Sequence, residues 1–460
     1  MIKKFILLIA ISVGLGFLTR YTCLNYTQAM SVSIFSASML GTLFFWDFRL
    51  SFAFLGTSIL LLTKTIDMPH IVEFSSLDVI LFLVGMMVLV GLLKETGFFS
   101  WLVSQMIRIK GFTGKKFVFI LCVSSALLAC AIDEVTSIIF IVAAIFEICD
   151  YYKVESTPYV IISVLATNIG SAATVLGNPI GILIASKSGL TFEDFIMKAF
   201  PLAMVCLFVT IFTVTIWYRK SIKHLDSRIK EKGDGEKIKK LPQTPFNKDL
   251  KISLAVFGTT LFFISLHHRL ELFLNLPPNS VLFAMPLIAS GGIMIWKKHR
   301  ARKHIEQDVE WWTLLFFLLL FAQAGTLKYT GATDVLANKL VALASSNLSF
   351  LTGLVLWIAA IGSSVLDNVV LVAALIPVIK SFQACNVNVQ PLWWALLFGG
   401  CLGGNITLVG STANIVALGI LEKEKNIRMT FLRWFGVGLT VGIITTIVAW
   451  AALSFLPIYR

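Results

Sequence analysis

The chain has 460 residues, 57% of them hydrophobic and only 14% charged, with a mean hydropathy of +0.87. That is more apolar than a water-soluble core requires, so composition excludes a soluble globular protein and leaves an all-α protein that crosses a bilayer many times. A net charge of +13 would suggest nucleic acid in a soluble chain, but here the Lys and Arg residues concentrate in short segments between apolar runs, the positive-inside pattern of a membrane protein, so no nucleic-acid partner is expected.

Residues 1–28 are read as an N-terminal transmembrane helix. MIKKFILLIAISVGLGF has the two lysines and apolar core of a signal peptide, but no clear small-x-small cleavage site follows and further spans come straight after, so a retained helix is expected. Eleven crossing helices are predicted near 3–19, 29–46, 50–63, 77–93, 158–185, 199–217, 252–266, 280–296, 311–325, 391–420 and 431–456. Each approaches the ~20 apolar residues that span a ~30 Å hydrocarbon layer. Two more apolar stretches, 117–149 and 350–382, are broken at the middle by the polar tips Asp133-Glu134-Val135-Thr136 and Asp367-Asn368, and read as re-entrant helical hairpins.

Each crossing switches sides, so charge tests this order. With the N-terminus inside, Arg108, Lys110, Lys115 and Lys116, the loop 218–251, the run from Lys297 to Lys303, and Lys423, Lys425 and Arg428 all fall on the cytoplasmic side. The basic loop 218–251, which contains EKGDGEKIKK, reads as a solvated tether between a first repeat, 29–217, and a second, 252–460. The same parity puts the first hairpin on the cytoplasmic face and the second on the external face, so the halves are inverted. Sequence echoes agree: AIDEVTSIIFIVAAIF at 131 with VLDNVVLVAALIPVIK at 365, and NIGSAATVLGNP at 168 with CLGGNITLVGST at 401. Asp133 lies 44 residues before Gly177 and Asp367 lies 43 before Gly410. Such halves are typical of secondary transporters with a site near the bilayer midplane.

Asp133, Glu134 and Asp367 are the acids expected deep in the apolar layer, where a charge costs on the order of 2.5 to 3.5 kcal/mol. The bland alternative is that they only cap a turn. The Gly-, Asn-, Ser- and Thr-rich segments inside 158–185 and 391–420 read as broken helices, because exposed backbone at that depth is tolerated only where it lines a cavity or binds something. Carbonyls, hydroxyls and Asn oxygens suit a hard cation such as sodium, and half-helix N-termini suit an anion. Asn168, Thr174, Asn178, Asn405, Thr407, Ser411 and Asn414 are therefore candidate ligands, with Asn168, Asn405 and Asn414 the candidate sodium site. Gly170, Gly177, Gly403, Gly404 and Gly410 either open the backbone for binding or allow close helix packing. The seven Cys residues form no CxxC pair and read as packing, and the six His residues fall in polar connections, away from any buried metal site.

At these residues the chain resembles the ion transporter superfamily, in the branch of arsenite permeases, NhaD-type sodium/proton antiporters and P-protein-like permeases with a citrate transporter-like domain. The resemblance rests on ALLACAIDEVT, TNIGSAATVLGNPIG, SSVLDNVVLVAALIP and GCLGGNITLVGSTAN, together with LVGMMVLVGLLKETGFF at 83. It implies eleven crossings plus two hairpins, a homodimer, and elevator-type alternating access. By residue-wise match it carries binding roles to Asp133, Thr136, Asn168, Thr174, Asp367, Asn368, Asn405, Thr407 and Asn414. The first half departs from the pattern: Glu134 replaces the tip Asn, Asn178 an Asp, and Gly181 the Asn kept as Asn414 in the second half. An acid in place of an amide adds a titratable group, so Glu134 is expected to carry a proton.

The function expected is secondary active transport in a bacterial inner membrane, with a sodium ion, a proton or both as coupling ion and no other cofactor. In one version the acids exchange sodium for protons. In the other a small anion, arsenite-like or carboxylate-like, moves with the cation. Finding no buried Arg or Lys to pair with a dicarboxylate favours the first version. A passive channel or a membrane scaffold is the reading from another class. An enzyme is not expected, since no nucleotide loop or HExxH motif is present, and an ATP-driven pump would need a separate ATPase subunit.

Overall fold

Long runs of Leu, Ile, Val and Phe in lipid must satisfy their own backbone polar groups, and the helix does so within one segment. The computed structural model describes residues 2–22, 24–107, 112–232, 246–343, 347–385 and 387–459, and among them helix is the only regular structure. Eight helices are long and apolar enough to cross a bilayer among the described residues, or nine if the pair Lys248–Ser265 and His267–Leu274, bent by 65°, counts as one span. The chain is a multi-pass integral membrane protein.

The first part of the chain runs α1 (Ile2–Thr22), α2 (Tyr26–Phe44), α3 (Arg49–Leu62), α4 (Met68–Phe74), α5 (Leu77–Glu95) and α6 (Phe98–Ile107). The first hairpin follows as α7 (Gly114–Ala131) and α8 (Glu134–Tyr152), and the first broken helix as α9 (Thr157–Gly170) and α10 (Pro179–Ser188). A long helix α11 (Phe192–Trp217), with a π-helical turn at Phe195–Ala199, closes this half. Then come α12 (Arg219–Lys232), α13 (Lys248–Ser265), α14 (His267–Leu274), α15 (Ser280–Trp296), α16 (Trp311–Tyr329) and α17 (Ala332–Leu343). The second hairpin is α18 (Leu348–Val365) and α19 (Asn368–Ala384), the second broken helix α20 (Gln390–Gly403) and α21 (Thr412–Lys425), and α22 (Phe431–Phe455) ends the fold.

Every residue of α9 and every residue of α20 after Gln390 is buried, as expected of helices that are apolar all round and sit at the centre. α7 packs on α9 as α18 packs on α20. The close approach needs glycine: a Cβ on Gly170 would overlap the Ala126 backbone, and one on Gly403 the Ala360 backbone. The second arms of the hairpins cross over, α8 packing on α21 and α19 on α10, so the two halves interlock around the two breaks.

Two sequence readings change. Residues 219–232, read as part of a tether, form α12, because Ile222, Leu225 and Ile229 recur on one face and are buried while the charges face out. EKGDGEKIKK from residue 233 on, Arg108, Lys110 and Cys23 lie outside the described residues. Within the expected broken helices 158–185 and 391–420 a non-helical stretch separates two helices, and the connections contribute the short helices α4, α6, α14 and α17. Finally, His267 and His304 are each only 1% exposed, because the connections that carry them fold back onto helix ends. His304 lies 2.7 Å from Asp308 and 3.6 Å from Glu95.

Candidate functional site

The two hairpin tips and the two breaks build one site, each by ordinary helix-end chemistry. A helix start leaves backbone N–H groups without intrahelical partners, and short polar side chains supply them. Asp133 caps α8, accepting from Thr136 N at 2.7 Å; Asp367 caps α19, accepting from Val369 N at 3.0 Å. Asn178 caps α10, accepting from Gly181 N at 2.9 Å, and Ser411 caps α21, accepting from Ala413 N at 3.2 Å. So the acids do cap turns, but inside the protein: Asp367 and Glu134 are buried, and Asp133 is half-buried at a cavity wall.

Thr174 and Thr407 play matching parts in the two breaks. Thr174 donates its hydroxyl to the Cys130 carbonyl at the end of α7, and Thr407 to the Ser364 carbonyl near the end of α18. Each hydroxyl also accepts from the backbone two residues on, at 3.2 Å and 3.3 Å. Both threonines thus tie a break to its hairpin. Gly177, Gly404 and Gly410 lie in the breaks against neighbouring backbone: a Cβ on Gly177 would strike Ser171, and Gly404 and Gly410 face each other.

Three asparagines from different segments meet at the centre. Asn168 Nδ2 donates to Asn405 Oδ1 and to Asn414 Oδ1, both at 2.9 Å, while Asn414 Nδ2 donates to the Gly404 and Thr407 carbonyls at 2.8 and 2.9 Å. The oxygens of Asn405 and Asn414 therefore already accept an N–H. Of the three expected sodium ligands, Asn168 alone keeps an amide oxygen without a hydrogen-bond partner among the described residues. Glu134, from the first hairpin, reaches the second half: its Oε1 accepts long contacts from Asn368 Nδ2 at 3.5 Å and Ser411 Oγ at 3.4 Å. Its Oε2 is buried and has no hydrogen-bond partner among the described residues. Asn168 Oδ1 and Glu134 Oε2 are thus two buried acceptor oxygens without a hydrogen-bond partner among the described residues, and burying such groups is costly unless a proton, a cation or water satisfies them.

A cavity of about 200 Å³ opens beside Glu134. Asp133, Thr136, Asn178 and Thr412 line it together with Lys94, Asp308 and Glu310. Sequence reasoning missed several of these partners. Thr412 donates to Asp367 Oδ2 at 2.7 Å, and Ser171 accepts from Asn178 Nδ2 at 2.9 Å; both stood inside the quoted motifs but carried no signal beyond their neighbours. The expectation of no buried cation also fails. Arg49, at the first turn of α3, is buried, donates to Thr313 Oγ1 at 2.8 Å, and stacks over Trp46 with 4.4 Å to the ring centroid. It faces Asp367 and Glu310 electrostatically. In the sequence Arg49 stood at the edge of an apolar run, which gives no sign that α3 is drawn inward there.

Residues 42–399 match the CitMHS family, described as "Citrate transporter". The chain belongs to the citrate transporter family. Its matched region begins before α3 and runs nearly to the end of α20, so it holds both hairpins and the first break. The family chain is 30% identical over 353 residues to an uncharacterised transporter of Mycobacterium tuberculosis, covering 75% of this chain and 79% of that one. It is 26% identical over 449 residues to the human P protein, covering 82% of this chain and 53% of the P protein. Among solved structures it resembles the crystal structure of the Alcanivorax borkumensis YdaH transporter, with a TM-score of 0.56 and 14% identity over 85% of this chain and 88% of that one. That likeness places the citrate transporter family member in the same fold.

Proposed function

We propose that this transporter works by secondary active exchange of sodium for protons at the site between the hairpin tips. The observation that carries the reading is Glu134, a buried carboxylate set between the two halves with one oxygen unpartnered. A carboxylate in that position holds a proton in one state and gives it up to a cation in another. Asn168 Oδ1 supplies a second, neutral ligand for the cation, and Asp367 and Asp133 share the charge around it. Crosswise packing of α8 on α21 and of α19 on α10 supports hairpins that move with the breaks as one unit, as elevator-like alternating access requires. The charge pattern and the family resemblance support a homodimer in a bacterial inner membrane, its N-terminus and residues 218–251 on the cytoplasmic side. They also support inverted repeats.

The test is flux in proteoliposomes with a pH-sensitive dye inside. Sodium added outside drives protons out of the wild-type vesicles, and Glu134→Gln abolishes the exchange while the protein stays monodisperse. Full sodium-driven proton movement in Glu134→Gln would overturn the assignment. A second reading, cation-coupled movement of a small carboxylate or oxyanion, is favoured by buried Arg49 and by the description of the family. It predicts citrate or arsenite uptake that sodium or a pH gradient accelerates, in the same vesicles.

A further inference from the structure

A second cavity, of about 210 Å³, lies away from the site described above. The two cavities sit at opposite ends of the same four helices. α5 lines the first cavity from Phe82 to Lys94 and this one through Ser76 at its start. α16 touches them through Thr313 and Lys328, α10 through Pro179 and Lys187, and α19 through Val369 and Lys380. They therefore face opposite sides of the protein, and on the topology read from charge this one faces outward.

Three lysines from three helices, Lys187, Lys328 and Lys380, converge on its wall, against one acid there, Glu73. Lys328 is fixed in place, donating to Asp334 at 2.5 Å and to Ser381 Oγ at 3.0 Å. Lys187 and Lys380 have no carboxylate within 4.0 Å among the described residues. Lys380 lies in the repulsive field of both other lysines, with Asp78 as the opposing charge, and Asp78 is engaged by Ser186 Oγ at 2.6 Å. The start of α5 reaches the same wall through Ser76, which makes no side-chain cap, and its first turn carries Asp78. Like charges brought together in a recess are relieved by a ligand of opposite charge, and ammonium groups serve as point-charge partners for phosphate-like and carboxylate groups. The recess holds several waters' worth of space, enough for a small ion.

We infer that this lysine-lined cavity is a binding site for a small soluble anion carrying two or more negative charges. It is separate from the cation site, and it gathers such an anion where two helices of the central site, α10 and α19, end. The inference does not depend on which ion the transporter exchanges, since binding is read without any gradient.

The test uses the full chain in detergent, without sodium, at low ionic strength, with radiolabelled sulfate and inorganic phosphate as probes. Saturable binding is expected, competed by phosphate and citrate at least about tenfold better than by acetate, which amounts to about 1.4 kcal/mol. Lys187→Gln and Lys380→Gln each weaken it by about tenfold or more, and Asp367→Asn leaves it intact. Absence of saturable binding in the wild type, unchanged binding in both lysine variants, or loss in Asp367→Asn equal to that in the lysine variants would overturn the proposal. Should either lysine variant fail to fold, mass-spectrometric footprinting of lysine acetylation in the wild type decides. Phosphate then protects Lys187 and Lys380, and reactivity indifferent to phosphate overturns the site.

Discussion

Replacing Asn168 by Ala tests the central site most directly, because this one side chain does two separable things. Its amide N–H group serves both Asn405 and Asn414 at 2.9 Å, so truncation leaves two buried oxygens without donors. Each orphaned acceptor costs about 1 to 3 kcal/mol, and interhelical hydrogen bonds in membrane proteins average about 0.6 kcal/mol at the low end, so the loss is about 1 to 6 kcal/mol in all. That is measured as a fall in the unfolding midpoint of the detergent-solubilised protein without sodium. The second effect is on ligand-linked stability. If Asn168 Oδ1 and Glu134 Oε2 hold the cation, sodium at about a hundred times its dissociation constant stabilises the wild type by about 2.7 kcal/mol, and this increment disappears in Asn168→Ala. Reading the two midpoints in sodium and in choline separates the effects. A variant as stable as wild type in choline would refute the network argument, and a variant with a full sodium increment would refute the ligand assignment.

Other substitutions probe single contacts. Thr412→Val removes the 2.7 Å donor to Asp367 Oδ2 and is expected to lower stability by about 1 to 3 kcal/mol, measured by thermal unfolding, and to raise the sodium concentration at half-maximal exchange. Gly403→Ala forces a methyl group into the Ala360 backbone and is expected to cost about 1 to 3 kcal/mol by overpacking, visible as reduced yield of folded protein. Gly419→Ala, in a helix interior where a Cβ meets nothing, is the control, expected to gain about 0.4 to 1 kcal/mol rather than lose stability. Arg49→Met removes the cation that faces Asp367 and one of the two that face Glu310, and is expected to alter the pH dependence of exchange, read from initial rates across a pH series; an unchanged profile would remove Arg49 from the site.

The helical, membrane-spanning character was legible because a bilayer admits few solutions and apolar length reports it directly. The polar interruptions were legible for the same reason: Asp367-Asn368 and the Gly-, Asn- and Thr-rich segment at Asn405 stand out because long apolar runs flank them. What a residue does with its polarity was much less legible. Thr174 and Thr407 also donate to the hairpin carbonyls, and Asn405 and Asn414 also accept from Asn168, contacts that nothing in the sequence indicated.

Sequence by itself determined where polar groups interrupt the apolar runs, and so which segments would bend and meet, since an unsatisfied group in hydrocarbon must find a partner. Only tertiary structure decided which partner. Glu134 reaches Ser411 across 277 positions, Arg49 reaches Thr313 across 264, and three lysines gather from helices far apart in the chain. Local patterns encode helices and their ends, whereas a hydrogen bond or a charge acts over a few ångströms of space, and sequence distance carries no record of that.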